Sequence, residues 1–436
     1  MLTAISNRHQ TVLTNALQHL LSILSQWPAR PPGLKFSSGI KLDLGTFSPS
    51  DSKHIFRDFR FDETYPYFTE DDFDDYEAYR RACQEAPRNP SIVTANECPG
   101  WISSRQDILD INPTKRIVGS MSLRLPSGQH FPRAPVVTEL IVRRQYYRWI
   151  DPAVFGQLIA ESFTSLQHLR HEFATALRSE YQVDEPMLSF VIARLRADYI
   201  LLLEALPWTL RRLNIFQDCN PAPLRIPFTS NEWMDYYGTL FLRRSQFLEH
   251  LSIAFFVDAE NSLSSFASSP GSDFRTPTVP DSWPNLRTLS LTSSSLLLKH
   301  GPSEKLIGLL ELVAKALLRM PKLEMLEIWQ GVEGEGCIFR YEDARDQDID
   351  PVIRFMSSSI ERLDASMMGR MEQALGPLWG RTPGRHLRFD YQRLHLGDSL
   401  STWYAGLLPY LSYQVLDPVS KYQLQWELEL QRDYHI

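Results

Sequence analysis

Apolar and polar positions alternate most regularly between Leu210 and Leu363. Five copies of one short pattern fall there: "LRRLNIF" from Leu210, "LEHLSIA" from Leu248, "LRTLSLT" from Leu286, "LEMLEIW" from Leu323 and "IERLDAS" from Ile360. Their fourth residues, Leu213, Leu251, Leu289, Leu326 and Leu363, are 38, 38, 37 and 37 residues apart. Apolar residues at the fourth and sixth positions are the signature of a strand that turns every second side chain to one face. The spacing predicts an inward column of Leu213, Ile215, Leu251, Ile253, Leu289, Leu291, Leu326 and Ile328. The residues between them point to the opposite face: Arg212, Asn214, Phe216, His250, Ser252, Thr288, Ser290, Thr292, Glu327, Trp329, Arg362 and Asp364.

The rest of the chain supplies the elements between strands. Residues 10–26 carry an apolar stripe of Val12, Leu13, Ala16, Leu17, Leu20, Leu21 and Leu24 at helical spacing, and "GIKLDL" then alternates as a strand. Ser48-Pro49 opens a helix that leads into Ile55, Phe56, Phe59 and Phe61. "VVTELIVRR" is a strand through Val137, Leu140 and Val142. Asp151-Pro152 starts a helix, with Asp as cap and Pro at the first helical position, and its stripe is Val154, Phe155, Leu158 and Ile159. Leu169 begins the next strand 29 residues after Leu140, the length of one compact strand–helix repeat.

Further helices are expected at 186–206, 233–244 and from Ser303, where Leu306, Leu310, Val313 and Leu317 share a face. Residues 257–281, rich in Ser and Pro, read as a loop. Asp350-Pro351 reads as another helix start, running through Val352, Ile353 and Met356 to Leu363, and "HLRFDY" near Leu387 as a last strand. The tail "YQLQWELELQRD" fits strand and helix spacing equally.

L-x-x-L-x-L at fixed intervals is the pattern of a leucine-rich repeat, in which strand–helix units bury their apolar faces by stacking. The expected fold is therefore α/β, a leucine-rich-repeat-like solenoid with irregular, long repeats of 37–38 residues. One repeat domain spans 1–436: an N-terminal layer at 1–61, an acidic, irregular insertion at 62–134, repeats at 135–395 and a C-terminal cap at 396–436.

Composition narrows the function. With 43% apolar and 22% charged residues the chain is that of a soluble protein, and a net charge of −7 gives no general attraction to nucleic acid or anionic lipid. No apolar run reaches the roughly 20 residues of a membrane span. The start has no basic segment ahead of an unbroken apolar core, so no secretory signal is expected. The four cysteines, Cys83, Cys98, Cys219 and Cys337, form no C-x-x-C pair and read as reduced thiols of a cytoplasmic or nuclear protein.

The candidate chemistry is weak throughout. The carboxylates Glu70, Asp71, Asp72, Asp74 and Asp75 lack the order of a calcium loop. "RRQYYR", Arg143 to Arg148, is too short to make an acidic chain a nucleic-acid binder. "GVEGEGC", Gly331 to Cys337, is not a dinucleotide fingerprint and reads as a repeat turn. His168 and His171 point to opposite faces of one strand. No G-x-S-x-G or H-E-x-x-H occurs. No catalytic, cofactor or metal residues are assigned. The expected ligand is a protein, held on a concave face by Arg212, Asn214, Phe216, His250, Ser252, Thr288, Ser290, Glu327, Trp329 and Asp364. The alternative is an enzyme with an unfamiliar site.

Four stretches bear on ancestry: "LDLGTFSPSDSKHIFRDF" from Leu42, "PVVTELIVRRQYYRWIDP" from Pro135, "LPWTLRRLNIFQD" from Leu206 and "LEIWQGVEGEGCIFRY" from Leu326. Through them the chain resembles an uncharacterised leucine-rich-repeat-like family of filamentous fungi that usually follows an F-box. The resemblance implies a substrate-recognition role in a cullin–RING ubiquitin ligase, without catalytic residues. The first residues already resemble a helix of the repeat domain, so no F-box is expected ahead of Asn7. Binding to the ligase adaptor is expected only where an F-box is supplied, and a second alternative is an intact ligase receptor whose F-box lies upstream of this chain.

Overall fold

The structure, a computed structural model, describes residues 2–27, 39–46, 101–102, 105–106, 123–126, 128–144, 150–174, 197–218, 240–241, 244–267, 282–298, 304–332, 334–343, 349–381, 385–396, 404–421 and 424. Several expectations fall outside them: the helix after Ser48, the acidic cluster at Glu70–Asp75, most of the 186–206 and 233–244 helices, Cys83, Cys98, Cys219 and most of the tail. The architecture is α/β, with a mixed sheet of ten strands that does not close on itself. The chain divides into two compact units. Unit 1 comprises Met1–Thr209, Gln217–Ile226 and Leu416–Ile436; unit 2 comprises Leu210–Phe216 and Pro227–Val415.

Unit 1 opens with helix α1 (Leu2–Leu24), which buries Leu13, Leu17, Leu21 and Leu24 at intervals of three and four residues. The stripe is narrower than expected, since Val12 is 63% exposed and Ala16 is also exposed. Strand β1 (Ile40–Asp43) pairs in parallel with β4 (Val137–Val142), and β4 in parallel with β5 (His168–Ala174). A two-stranded antiparallel pair, β2 (Trp101–Ile102) and β3 (Arg105–Gln106), stands apart. Leu140 lies opposite Leu169, so the 29-residue step is one crossover. That crossover holds α2 (Pro152–Glu161), where Asp151 caps by accepting from the Ala153 amide at 3.1 Å and Pro152 takes the first turn. Val154, Phe155, Leu158 and Ile159 are its buried face.

Unit 2 contains β6 (Arg212–Asp218, through Phe216), β7 (His250–Asp258), β8 (Thr288–Thr292), β9 (Met325–Val332), β10 (Glu335–Glu342), β11 (Val352–Ser357) and β12 (Arg388–Arg393). Strands β6 to β9 are parallel and in register: Leu213 lies opposite Leu251, Leu251 opposite Leu289, and Leu289 opposite Leu326. Parallel neighbours need crossovers of a dozen residues or more, and the 37–38-residue steps supply them. Helices α3 (Ala259–Ala267) and α4 (Glu304–Leu317) lie in those crossovers, and α5 (Ala365–Ala374) follows β11. α4 buries Leu306, Leu310, Val313 and Leu317, as its spacing predicted.

Three expectations are corrected. The fifth copy of the motif is not a strand: Leu363 follows a single 3₁₀ turn, Ile360–Arg362. Residues Val352, Ile353 and Met356 lie on strand β11, not on a helix begun by Asp350-Pro351. The loop read at 257–281 starts as the end of β7 and then helix α3, which buries Ala259 and Leu263. The cause of the first two is a reversal after β9. The chain turns at Gly334, whose φ of +79° glycine adopts without a Cβ penalty, and β10 returns antiparallel to β9. β11 then runs antiparallel to β10, and β12, the strand read from "HLRFDY", parallel to β11. The glycine-rich "GVEGEGC" is thus a hairpin.

Candidate interaction face

The register of unit 2 sorts its side chains into rows that cross the strands. On one face Leu213, Leu251, Leu289, Leu326, Tyr341 and Ile353 make one row, and Ile215, Ile253, Leu291, Ile328, Phe339 and Phe355 the next. All are at most 3% exposed, so this face is core. On the other face the same register aligns Asn214, Ser252, Ser290, Glu327, Arg340, Arg354 and Asp390 across seven strands. A row of polar side chains at constant height is what alternation produces when the intervening positions are polar.

This row contains four of the expected concave-face residues, but it is not open. Asn214, Ser252, Ser290 and Glu327 are buried, and so are Phe216 and Trp329 further along the same face. A segment of the chain itself, Tyr404–Val415, lies over them. The Glu327 carboxylate accepts the Ser412 amide at 3.0 Å and the Tyr413 amide at 3.4 Å, while the Arg340 guanidinium donates to the Tyr410 carbonyl. Glu327 and Arg340 also pair with each other at 2.7 Å. The Tyr413 hydroxyl donates to Asn214 Oδ1 at 2.9 Å. Burial raises the Glu327 pKa above the usual carboxylate value, opposed by Arg340 and the two amides.

The remaining expected residues are placed differently. Arg212 is exposed, and His250 and Thr288 are half-buried, joined by a 2.7 Å hydrogen bond from ring nitrogen to hydroxyl. Asp364 is on no strand: it caps α5, accepting the Met367 amide at 2.7 Å, and stays exposed.

Aromatic side chains close one end of the row. Strand β7 bulges after Ile253, and Phe255 there takes a φ of 60°, a left-handed conformation that is costly for a bulky residue. The bulge is held by the Thr292 hydroxyl, which accepts the Phe255 amide at 2.8 Å. It carries the Phe255 ring to 5.0 Å from Trp329, 5.7 Å from Phe216 and 5.1 Å from Tyr404 of the covering segment. On β10, Gly336 makes room for the segment. A Cβ there would come within 2.8 Å of Leu396 and of Leu407, which is fully buried.

Sequence reasoning missed Arg340, Phe255 and the covering segment. It also missed a charge ladder one position before each strand, where Arg211, Glu249, Arg287 and Glu324 alternate in sign and pair as Arg211–Glu249 and, at 2.5 Å, Arg287–Glu324. The second residue of each "L-x-x-L" copy was the available signal. Cys337, on the core face, is fully buried, and desolvation pushes its thiol up to about 12, which keeps it protonated. No group of three or more His, Cys, Asp or Glu side chains placed to hold a metal occurs among the described residues, and no described helix is long and apolar enough to cross a membrane.

Residues 205–414 match the model of a family of unknown function, DUF6546. No curated protein and no solved structure matches the chain. The matched span takes in the strands of unit 2 and runs to Gln414, so it includes all but the last residue of the covering segment.

Proposed function

We propose that the chain is a non-enzymatic protein-interaction scaffold, a leucine-rich-repeat-like solenoid whose partner surface is the polar face of the unit 2 sheet. The observation that carries this reading is the row from Asn214 to Asp390. Seven strands hold polar side chains at one height on the face opposite the core. Asn214, Ser252, Ser290 and Glu327 of that row lie under Tyr404–Val415, so the contacts open to a partner are on the parallel row beside it, Arg212, His250 and Thr288. By the resemblance stated above, the partner is a protein substrate presented to a cullin–RING ligase when an F-box is joined to this domain.

The test is affinity purification of the full chain from its native host, with quantitative comparison against the double variant Arg212→Glu and Thr288→Glu. Both positions lie on the accessible row beside the covered one. The expected result is a reproducible partner set for the parent chain that the variant loses. An unchanged set means that this face is not the interface.

A further inference from the structure

We propose that Tyr404–Val415, a 3₁₀ turn at Ala405–Tyr410 followed by non-helical chain, is a built-in ligand: the polar face recognises such a peptide in part by its main chain, and this strap occupies it until a partner peptide of the same chemistry takes its place. The inference rests on the interaction-scaffold reading and names the ligand class of that face.

Three observations carry it. The first is the manner of holding. One buried ion pair, Glu327 with Arg340, engages three main-chain groups within four residues of the strap: the Tyr410 carbonyl and the Ser412 and Tyr413 amides. Recognition through amides and carbonyls is indifferent to side-chain identity. Side chains add to the hold, with Tyr404, Ala405, Leu407, Leu408 and Val415 all buried. Leu407 sits against Gly336 where no Cβ intervenes, Tyr404 joins the Phe216–Phe255–Trp329 cluster, and Tyr413 reaches Asn214.

The second observation is that the strap leaves part of the face unsatisfied. Ser290 Oγ and Trp329 Nε1, fully buried on the same face as Glu327, meet no hydrogen-bond partner among the described residues. Ser290 lies opposite Glu327, and Trp329 is two positions further along β9. Buried polar groups are ordinarily paired, and leaving them unpaired opposes the arrangement that does so. A peptide that presents an acceptor to the Trp329 indole N–H and a polar group to Ser290 gains what the strap does not.

The third observation is strain. The strap-facing Phe255 is held at φ 60° with its ring against Tyr404. Strain of this kind persists where surrounding contacts over-determine it, and it collects at ligand-binding positions.

The partner is thus a peptide that forms a short 3₁₀ turn carrying a leucine-like residue for the Gly336 seat and, about six residues on, a tyrosine for Asn214, in the order that Leu407 and Tyr413 have here. The experiment uses the full chain and a fluorescent synthetic peptide, YAGLLPYLSYQV, which is residues 404–415, with a scrambled peptide as control. Two variants lift the strap: Leu407→Glu, and replacement of 404–415 by Gly and Ser at equal length. Circular dichroism and thermal melting establish folding in each.

Both variants are expected to bind the peptide at least tenfold more tightly than the parent chain. Adding Glu327→Ala to either is expected to abolish that gain. The proposal is overturned if folded, strap-lifted protein binds the peptide no better than the parent, or binds the scrambled peptide equally well. It is overturned too if both variants fail to fold, for the strap is then a structural layer of the domain. Peptide binding without partner capture in the preceding experiment would sink the scaffold reading alone; partner capture without peptide binding would sink this inference alone.

Discussion

The two faces of the unit 2 sheet come from the same strands in the same register, yet they are stabilised by opposite means. On the core face, Leu213, Leu251, Leu289 and Leu326 line up across four strands, and shape and volume settle their packing. On the strap face, one position along, Asn214, Ser252, Ser290 and Glu327 line up just as regularly and are buried as deeply. There, hydrogen-bond partners decide the outcome: Glu327 has its partners, and Ser290 Oγ has none among the described residues. Equal burial therefore does not mean equal contribution. An apolar side chain stabilises by leaving water, whereas a polar one must also find its complement.

The largest effect expected is from Glu327→Ala, which removes the nearer counter-charge of the buried Arg340 guanidinium and leaves it only Glu342, 3.9 Å away. A loss of about 3–5 kcal/mol in chemical denaturation is expected; a loss below about 1 kcal/mol would show that the strap face is wet and the pair screened. Leu289→Ala on the core face follows, at about 2–5 kcal/mol, because a close-packed row cannot collapse onto the cavity. Parent-like denaturation of that variant would break the assignment of this face as core.

A buried carboxylate in unit 1 sharpens the comparison. Glu172 is fully enclosed, accepts the Asp417 amide at 2.5 Å, and lies 3.6 Å from Arg170. Desolvation outweighs that arginine, and the nearby Asp417 adds to the rise, so its pKa stands raised to about 7. A raised folded-state pKa contributes stability that is complete below the unfolded value near 4.5 and lost as pH climbs through about 7. Glu172→Gln is neutral throughout, so its melting temperature relative to the parent should rise between pH 5 and pH 8. A flat difference would mean that Glu172 is charged and fully paired. The smallest effect is expected from Ser290→Ala, within about 1 kcal/mol of the parent or slightly stabilising, since the hydroxyl it removes has no described partner. A loss above that, measured by the same denaturation, would reveal a hydrogen bond on Ser290.

Much of this fold was legible in periodicity. The steps of 38, 38 and 37 residues correspond to the in-register leucines of β6 to β9, and Asp151-Pro152 marks α2. The reading failed where one pattern suits two structures. Val352, Ile353 and Met356 satisfy helical spacing as well as a short buried strand, and Asp-Pro precedes either. The equal final step to Leu363 then made a false fifth strand where a hairpin had been inserted. The candidate face was half legible. Alternation assigns residues to faces but is silent on what covers a face, and the strap that covers this one begins some 190 residues beyond Asn214 in the chain, at Tyr404.

The reversal at Gly334 also bears on the order in which the sheet assembles. Val332 and Glu335 pair directly across it, and β11 begins only ten residues after β10 ends. By contrast, each parallel neighbour from β6 to β9 must close a loop of more than thirty residues before its first ladder hydrogen bond forms. Loop closure is charged before long-range contacts reward it, and local pairings therefore form earliest. The β9–β10–β11 meander is the place from which the rest of unit 2 is expected to grow, with the long parallel crossovers joining later. Its amides, among them those of Phe339 and Ile353, are accordingly expected to gain protection first in pulsed hydrogen exchange during refolding, ahead of the leucine row at β6.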